Sequence, residues 1–220
     1  MPSDPRTALR RLYRRVTPMD LTETRIQEYD RRAVDSDETE TATFGLGCFW
    51  GPDARFGAID GVVRTRVGYA GGTTRDPTYH SLGNHTEVFQ IEFDPDTTTY
   101  RDLLSLVFES HTPGRQPSKT QYQNVVLTAT DTQRATLEAF LTSRGVTADA
   151  IDTRIERLSR FYPAEDYHQK YRLRSVSSLM DAFDAAGYDD DALRESPIAA
   201  KLNGYAAGHD VAAVESLTSE

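Results

Sequence analysis

Thr43-Phe44-Gly45-Leu46-Gly47-Cys48-Phe49-Trp50-Gly51-Pro52-Asp53-Ala54-Arg55-Phe56 is the stretch whose reading decides the fold. Its first four residues alternate in the manner of a short strand. Pro52 suits the first turn of a helix, and Asp53 favours the positive end of that helix. The stretch therefore reads as strand, tight turn and helix, with Cys48 at the junction. Backbone N–H groups and the helix dipole at such a junction favour a thiolate over a thiol. Phe49 and Trp50 place an apolar wall beside the sulfur. The chain holds one cysteine and one tryptophan, and both stand here. A lone cysteine can equally be a small buried hydrophobe, so this stretch alone leaves both readings open.

The 220 residues suffice for one domain with extensions, or two small ones, and for a sizeable core. A net charge of −9 argues against nucleic acid as a partner. One cysteine excludes an intramolecular disulfide and a cysteine-built zinc site. No His-Glu-x-x-His or phosphate-loop spacing occurs, so neither a metal nor a bound cofactor is expected. No stretch approaches the ~20 apolar residues of a membrane span, and the N-terminus lacks the apolar core of a secretory signal. A cytoplasmic, reducing compartment is the default.

Outward from the cysteine, residues 1–40 read as an N-terminal extension. It carries an arginine-rich helix over residues 6–16 and an acidic linker at 35–40. After the cysteine helix, residues 62–69 read as a strand with Val63, Thr65, Val67 and Tyr69 on one face. A long Gly- and Thr-rich loop follows, containing Tyr79. Residues 86–93 form the most informative strand. Period-two alternation puts Glu87 on one face with Phe89, Ile91 and Phe93. Burial of that face raises the pKa of the acid and favours its neutral form. Thr99 with Asp102 resembles a capping box, opening a helix whose Tyr100, Leu103, Leu104, Val107 and Phe108 face the core. A second irregular loop, 111–123, contains Tyr122. A strand at 125–128, a helix capped by Asp131, a strand near 153–158 and a helix at 164–171 complete the core. Residues 176–220 read as a helical tail. Strands and helices in this irregular order suggest an α/β or α+β sandwich.

These motifs resemble the peptide methionine sulfoxide reductase A family. Gly47-Cys48-Phe49-Trp50-Gly51 is similar to its catalytic signature. Further blocks agree in order: Gly68-Tyr69-Ala70-Gly71-Gly72 with Pro77-Thr78-Tyr79, and His85-Thr86-Glu87-Val88 with Phe93-Asp94-Pro95. Thr120-Gln121-Tyr122 and the run from Phe161 to Tyr171 follow. The resemblance implies an α+β fold, a two-layer sandwich of a mixed β-sheet with helices, plus N- and C-terminal helical extensions. It implies a catalytic domain over 41–175, flanked by extensions at 1–40 and 176–220. By position, Cys48 attacks the sulfur of a methionine S-sulfoxide and becomes a sulfenic acid. Protonated Glu87 supplies a proton to the sulfoxide oxygen, which Tyr79 and Tyr122 hydrogen-bond. Phe49 and Trp50 hold the substrate methyl group. The implied partners are oxidised proteins or free methionine sulfoxide, and an external thiol reductant such as thioredoxin or a small thiol. A sulfoxide-binding redox sensor, or a peroxidase-like thiol enzyme on the same scaffold, are the alternatives. The chain departs from the family at Thr112, where an aspartate is usual, at Asp53, where a glutamate is common, and in a shorter 111–122 loop. It also lacks a second, resolving cysteine.

Overall fold

A computed structural model describes residues 21–217. The helix expected over residues 6–16 lies outside them. The elements in order are α1 (Glu23–Arg31), β1 (Glu40–Leu46), α2 (Trp50–Gly57), β2 (Val62–Ala70), β3 (Thr86–Phe93), α3 (Tyr100–Glu109), β4 (Asn124–Thr128) and α4 (Asp131–Ser143). There follow β5 (Arg154–Arg157), β6 (Tyr162–Pro163), α5 (Tyr171–Arg174), α6 (Ser177–Ala185), α7 (Asp190–Glu195), α8 (Pro197–Ala206) and α9 (Ala212–Leu217).

Among the described residues the strands form one sheet in the order β5-β4-β1-β3-β2-β6. Only the β4–β5 pair is parallel; the other pairs are antiparallel. The sheet is therefore mixed, and with helices packed against it the fold is α+β. Odd-numbered residues of β3 enter the main core, as alternation requires. Phe89 packs 4.9 Å from Phe56 of α2 and 5.9 Å from Phe44 of β1, ring centre to ring centre. A fully buried large side chain contributes about 1.5–3 kcal/mol, against about 0–1 kcal/mol for a surface ion pair. This sheet-to-helix contact therefore decides where α2, and the cysteine before it, must lie.

Three local expectations give way to longer-range partners. A register shift between Val62 and Arg64 puts Val62, not Val63, into the main core. The helix after β4 is capped by Thr130, whose hydroxyl accepts from the N–H of Gln133 at 3.1 Å, so Asp131 is its first residue rather than its cap. The expected helix over 164–171 is one 3-10 turn (Asp166–His168), a left-handed Lys170 and the short α5. Gln169 causes the break. Its side chain accepts from the N–H of Val67 at 3.0 Å and donates to the carbonyls of Val67 and Ala164 at 2.9 Å, anchoring the segment to the edge of β2. The capping box at Thr99 and Asp102 forms as expected.

A second buried cluster joins segments distant in sequence. Ile26 of α1 packs with Leu173, Leu179, Phe183, Leu193, Ile198, Leu202, Val211 and Val214. The exposed Asp189–Asp191 run opens α7. Asp189 accepts from the N–H of Ala192, while Asp190 and Asp191 pair with Arg174 and Arg194.

Candidate functional site

β1 ends at Leu46, and the chain turns through Gly47 at φ +75°. A side chain there would be strained even though the space is open. The turn presents Cys48 at the surface, with Phe49 buried behind it and Trp50 opening α2. The neighbouring ends of β2 and β3 bring in Tyr69 and Glu87. The Gly71–Asn84 loop is fastened over this end by His85, whose ring accepts from the N–H of Gly72 at 3.2 Å and faces the Thr74 carbonyl at 2.8 Å.

Glu87 is 1% exposed. One carboxyl oxygen accepts from the backbone N–H of Phe49 at 3.1 Å, the other from the amide of Gln121 at 2.7 Å. Burial raises its pKa. The two hydrogen bonds and the more distant Lys119 oppose that rise without cancelling it. Both donors are neutral, so nothing adjacent carries the positive charge that would fix the anion. The group is held in place and biased toward its neutral acid.

Cys48 differs from the sequence expectation. Its thiol is pushed up, chiefly by partial burial among the surrounding walls and further by the Glu87 carboxylate. The N–H of Trp50 and the charge of Arg172 pull the other way but do not win. A single N–H of a short helix is too little to stabilise a thiolate against that desolvation. Cys48 and Glu87 are coupled: a proton on Glu87 removes one of the causes that raise the thiol.

Tyr122 is raised to about 12, by burial first, then by Glu87 and by interaction with the Tyr79 hydroxyl. The Tyr122 phenol is therefore a protonated donor at neutral pH. The N–H of Tyr79 is held by Glu165 at 2.9 Å, and the other oxygen of Glu165 accepts from the Tyr69 hydroxyl at 2.7 Å. Trp50 lies flat on Tyr171, 3.7 Å between ring centres at an interplanar angle of 4°. Its indole N–H donates to Nδ1 of His168 at 3.2 Å, which places the His168 proton on Nε2. Burial lowers the His168 pKa and keeps that tautomer neutral.

The structure thus gathers Cys48, Phe49, Trp50, Tyr79, Glu87 and Tyr122 around one end of the sheet. Sequence reasoning assigned no catalytic or binding role to Gln121, Glu165, His168, Tyr171 or Arg172. All five lie inside the sequence blocks already quoted or one residue beyond, so the signal was their proximity to known positions. Asp53 stands in the first turn of α2, as expected, and is also buried, accepting from the amide of Asn203 at 2.8 Å. Thr112 is exposed and its carbonyl closes a turn with Arg115. Among the described residues no cluster of His, Cys, Asp and Glu could hold a metal ion, and no helix is long and apolar enough to cross a membrane.

The chain is similar in sequence and fold to several known proteins. A peptide methionine sulfoxide reductase of Drosophila melanogaster is 40% identical over 183 residues, covering 82% of this chain and 72% of the relative. A peptide methionine sulfoxide reductase MsrA of Natronomonas pharaonis is 46% identical over 145 residues, 60% of this chain and 82% of the relative. Among solved structures, methionine sulfoxide reductase A of Corynebacterium diphtheriae superposes with a TM-score of 0.53 at 34% identity, covering 64% of this chain and 76% of the other. The reduced form of Mxr1 from Saccharomyces cerevisiae gives 0.54 at 28% identity, over 62% and 86%. The family model described as peptide methionine sulfoxide reductase matches residues 40–195, which include the cysteine turn, the Glu87 strand and both tyrosine loops, and the chain belongs to that family.

Proposed function

We propose that this chain reduces methionine S-sulfoxide, in oxidised proteins or free, to methionine, with Cys48 as nucleophile and Glu87 as proton donor. The observation that carries the reading is the position of Glu87: a buried carboxyl held by the backbone N–H of the residue next to Cys48. A sulfoxide oxygen leaves readily only once protonated, so the chemistry calls for a neutral acid beside a sulfur nucleophile. Phe49 and Trp50 receive the substrate methyl group. Tyr79 and Tyr122 hydrogen-bond the oxygen as its charge changes. Cys48 gives a thiol proton and an electron pair to the exchange, Glu87 relays protons, and the oxygen passes to Cys48. The products are methionine and a Cys48 sulfenic acid, which balances atoms and electrons.

With one cysteine in the chain, the sulfenic acid is resolved from outside. An external thiol, such as thioredoxin or a small thiol, attacks the Cys48 sulfur and releases water. A second thiol frees Cys48 and leaves as a disulfide. This scheme calls on no metal or bound cofactor. A reducing cytoplasm suits it. We take residues 41–175 as the catalytic unit, because every group assigned a role in the reaction falls within them, and 1–40 and 176–220 as extensions.

The test is turnover of the two sulfoxide epimers with dithiothreitol. The S epimer is consumed, and Cys48→Ser abolishes the reaction because a serine hydroxyl is a far weaker nucleophile at sulfur. Activity retained in Cys48→Ser would overturn the assignment. Without reductant the enzyme yields one equivalent of methionine, and Cys48 is trapped by a dimedone-type reagent. A Cys48–Cys48 linked dimer in place of that adduct contradicts the external-thiol step.

A further inference from the structure

Asn203 is fully buried in α8, far in sequence from the residues of the site. Its amide N–H donates to Asp53 at 2.8 Å. Its carbonyl oxygen accepts from the backbone N–H groups of Arg172 and Leu173, each at 3.0 Å. The first N–H groups of a helix lack intrahelical partners, and left-handed Lys170 supplies no side-chain cap. Asn203 therefore caps α5 from another helix. Asp53 belongs to α2, the helix that begins with Trp50. α5 begins with Tyr171, the ring stacked on Trp50, and continues with Arg172, whose charge acts on Cys48. One side-chain amide joins both halves of that stack.

The packing leaves the amide little freedom to move. A Cβ on Gly57 would lie 2.5 Å from the carbonyl oxygen of Ala200, and one on Gly204 2.7 Å from that of Ala54. α8 thus lies backbone to backbone on α2, with Asn203 fixed between them.

We propose that Asn203 is a positioning residue of the sulfoxide site, holding Tyr171 against Trp50 and Arg172 toward Cys48 from the C-terminal segment. The inference rests on the reductase reading of the Cys48 site. Its chemistry is specific: the position needs one donor toward a carboxylate and one acceptor toward two N–H groups. Asn203→Asp keeps the shape but sets a second carboxylate against Asp53. Combining it with Asp53→Asn reverses the pair and restores every hydrogen bond.

The experiment measures Trp50 emission, the chain having no other tryptophan, and steady-state kinetics with methionine S-sulfoxide and dithiothreitol. Parent, Asn203→Asp, Asn203→Ser and the paired variant are compared as full chains. Both single variants shift the Trp50 emission and raise KM roughly tenfold or more, with a smaller change in kcat. The paired variant returns both toward the parent. A folded single variant with parental emission and KM overturns the proposal, as does a folded pair that restores neither. Should Asn203→Asp fail to fold, Asn203→Ser and the pair decide the matter by the same criteria. A parent without sulfoxide turnover would overturn the reductase reading instead, and Trp50 emission would still decide the role of Asn203.

Discussion

Glu87 and Glu92 stand five residues apart on β3, both buried, at 1% and 4% exposure, and they point to opposite faces of the sheet. Glu87 faces the core side and meets two neutral donors, a backbone N–H and the Gln121 amide. Glu92 faces the other side and meets two guanidinium groups, Arg64 at 2.5 Å and Arg66 at 3.1 Å. Arg66 continues to Glu195 of α7, and burial of that carboxyl is outweighed by Arg66 and Arg194, which hold its pKa down to about 2. Desolvation acts on both sides of the strand, and the partner decides the outcome. Neutral donors leave an acid its proton to give. At Glu195 the guanidinium groups hold an anion, and Arg66, shared with Glu92, ties the C-terminal segment to the sheet. In the proposed reaction the first arrangement serves chemistry, while the second is architectural.

Glu87→Gln attacks the chemical side of this contrast and carries the largest expected effect. Glutamine keeps the shape, and Gln121 can turn its amide to accept, but no transferable proton remains. Sulfoxide turnover falls by roughly 10²–10⁴, the span of general acid catalysis, with a near-normal KM. A variant as fast as the parent would make Glu87 a structural acid like Glu92.

Arg66→Met attacks the architectural side. It deprives Glu92 and Glu195 of a shared partner, and breaking a buried ion pair costs about 3–5 kcal/mol, reduced here because Glu195 is partly exposed. Chemical denaturation should show a clear loss of stability, while the folded fraction keeps its sulfoxide turnover. Loss of activity without loss of stability would erase the distinction between the two faces.

The pH dependence of stability sharpens the contrast with a smaller signal. Glu195 is depressed from the ordinary 4.5 to about 2, so its contribution is present above pH 4.5 and is lost as pH falls toward 2. Glu87 is raised, so its contribution is full below pH 4.5 and fades as pH rises through its higher folded value. Thermal melts should show the deficit of Glu195→Gln closing on acidification below pH 4.5. Glu87→Gln should gain on the parent as pH rises above 4.5. The reverse trends would mean that the two acids had been assigned to the wrong classes.

Much of this was legible in the chain. Alternation over residues 86–93 is a local signal, and it placed Glu87 among Phe89, Ile91 and Phe93 correctly. The capping box at Thr99 is equally local. What escaped depends on distant partners. Asp53 could not be matched to Asn203, 150 positions away, because no periodicity links them. The break at 164–171 follows from the bonds of Gln169 to β2, which outweigh a helical pattern. The bulge at Val62 moved one strand residue out of phase. The thiol state of Cys48 depends on Glu87 and the surrounding walls, neither of which a motif reveals.

The central claim is that Glu87 retains its proton in the folded site, and difference infrared spectroscopy across a pH series tests it most directly. The carboxyl C=O stretch of Glu87 is identified as the band absent from Glu87→Gln and present in Glu195→Gln. That band should persist above pH 4.5, the ordinary glutamate value, and bleach only at higher pH. A Glu87 band that bleaches at or below pH 4.5 would contradict the account.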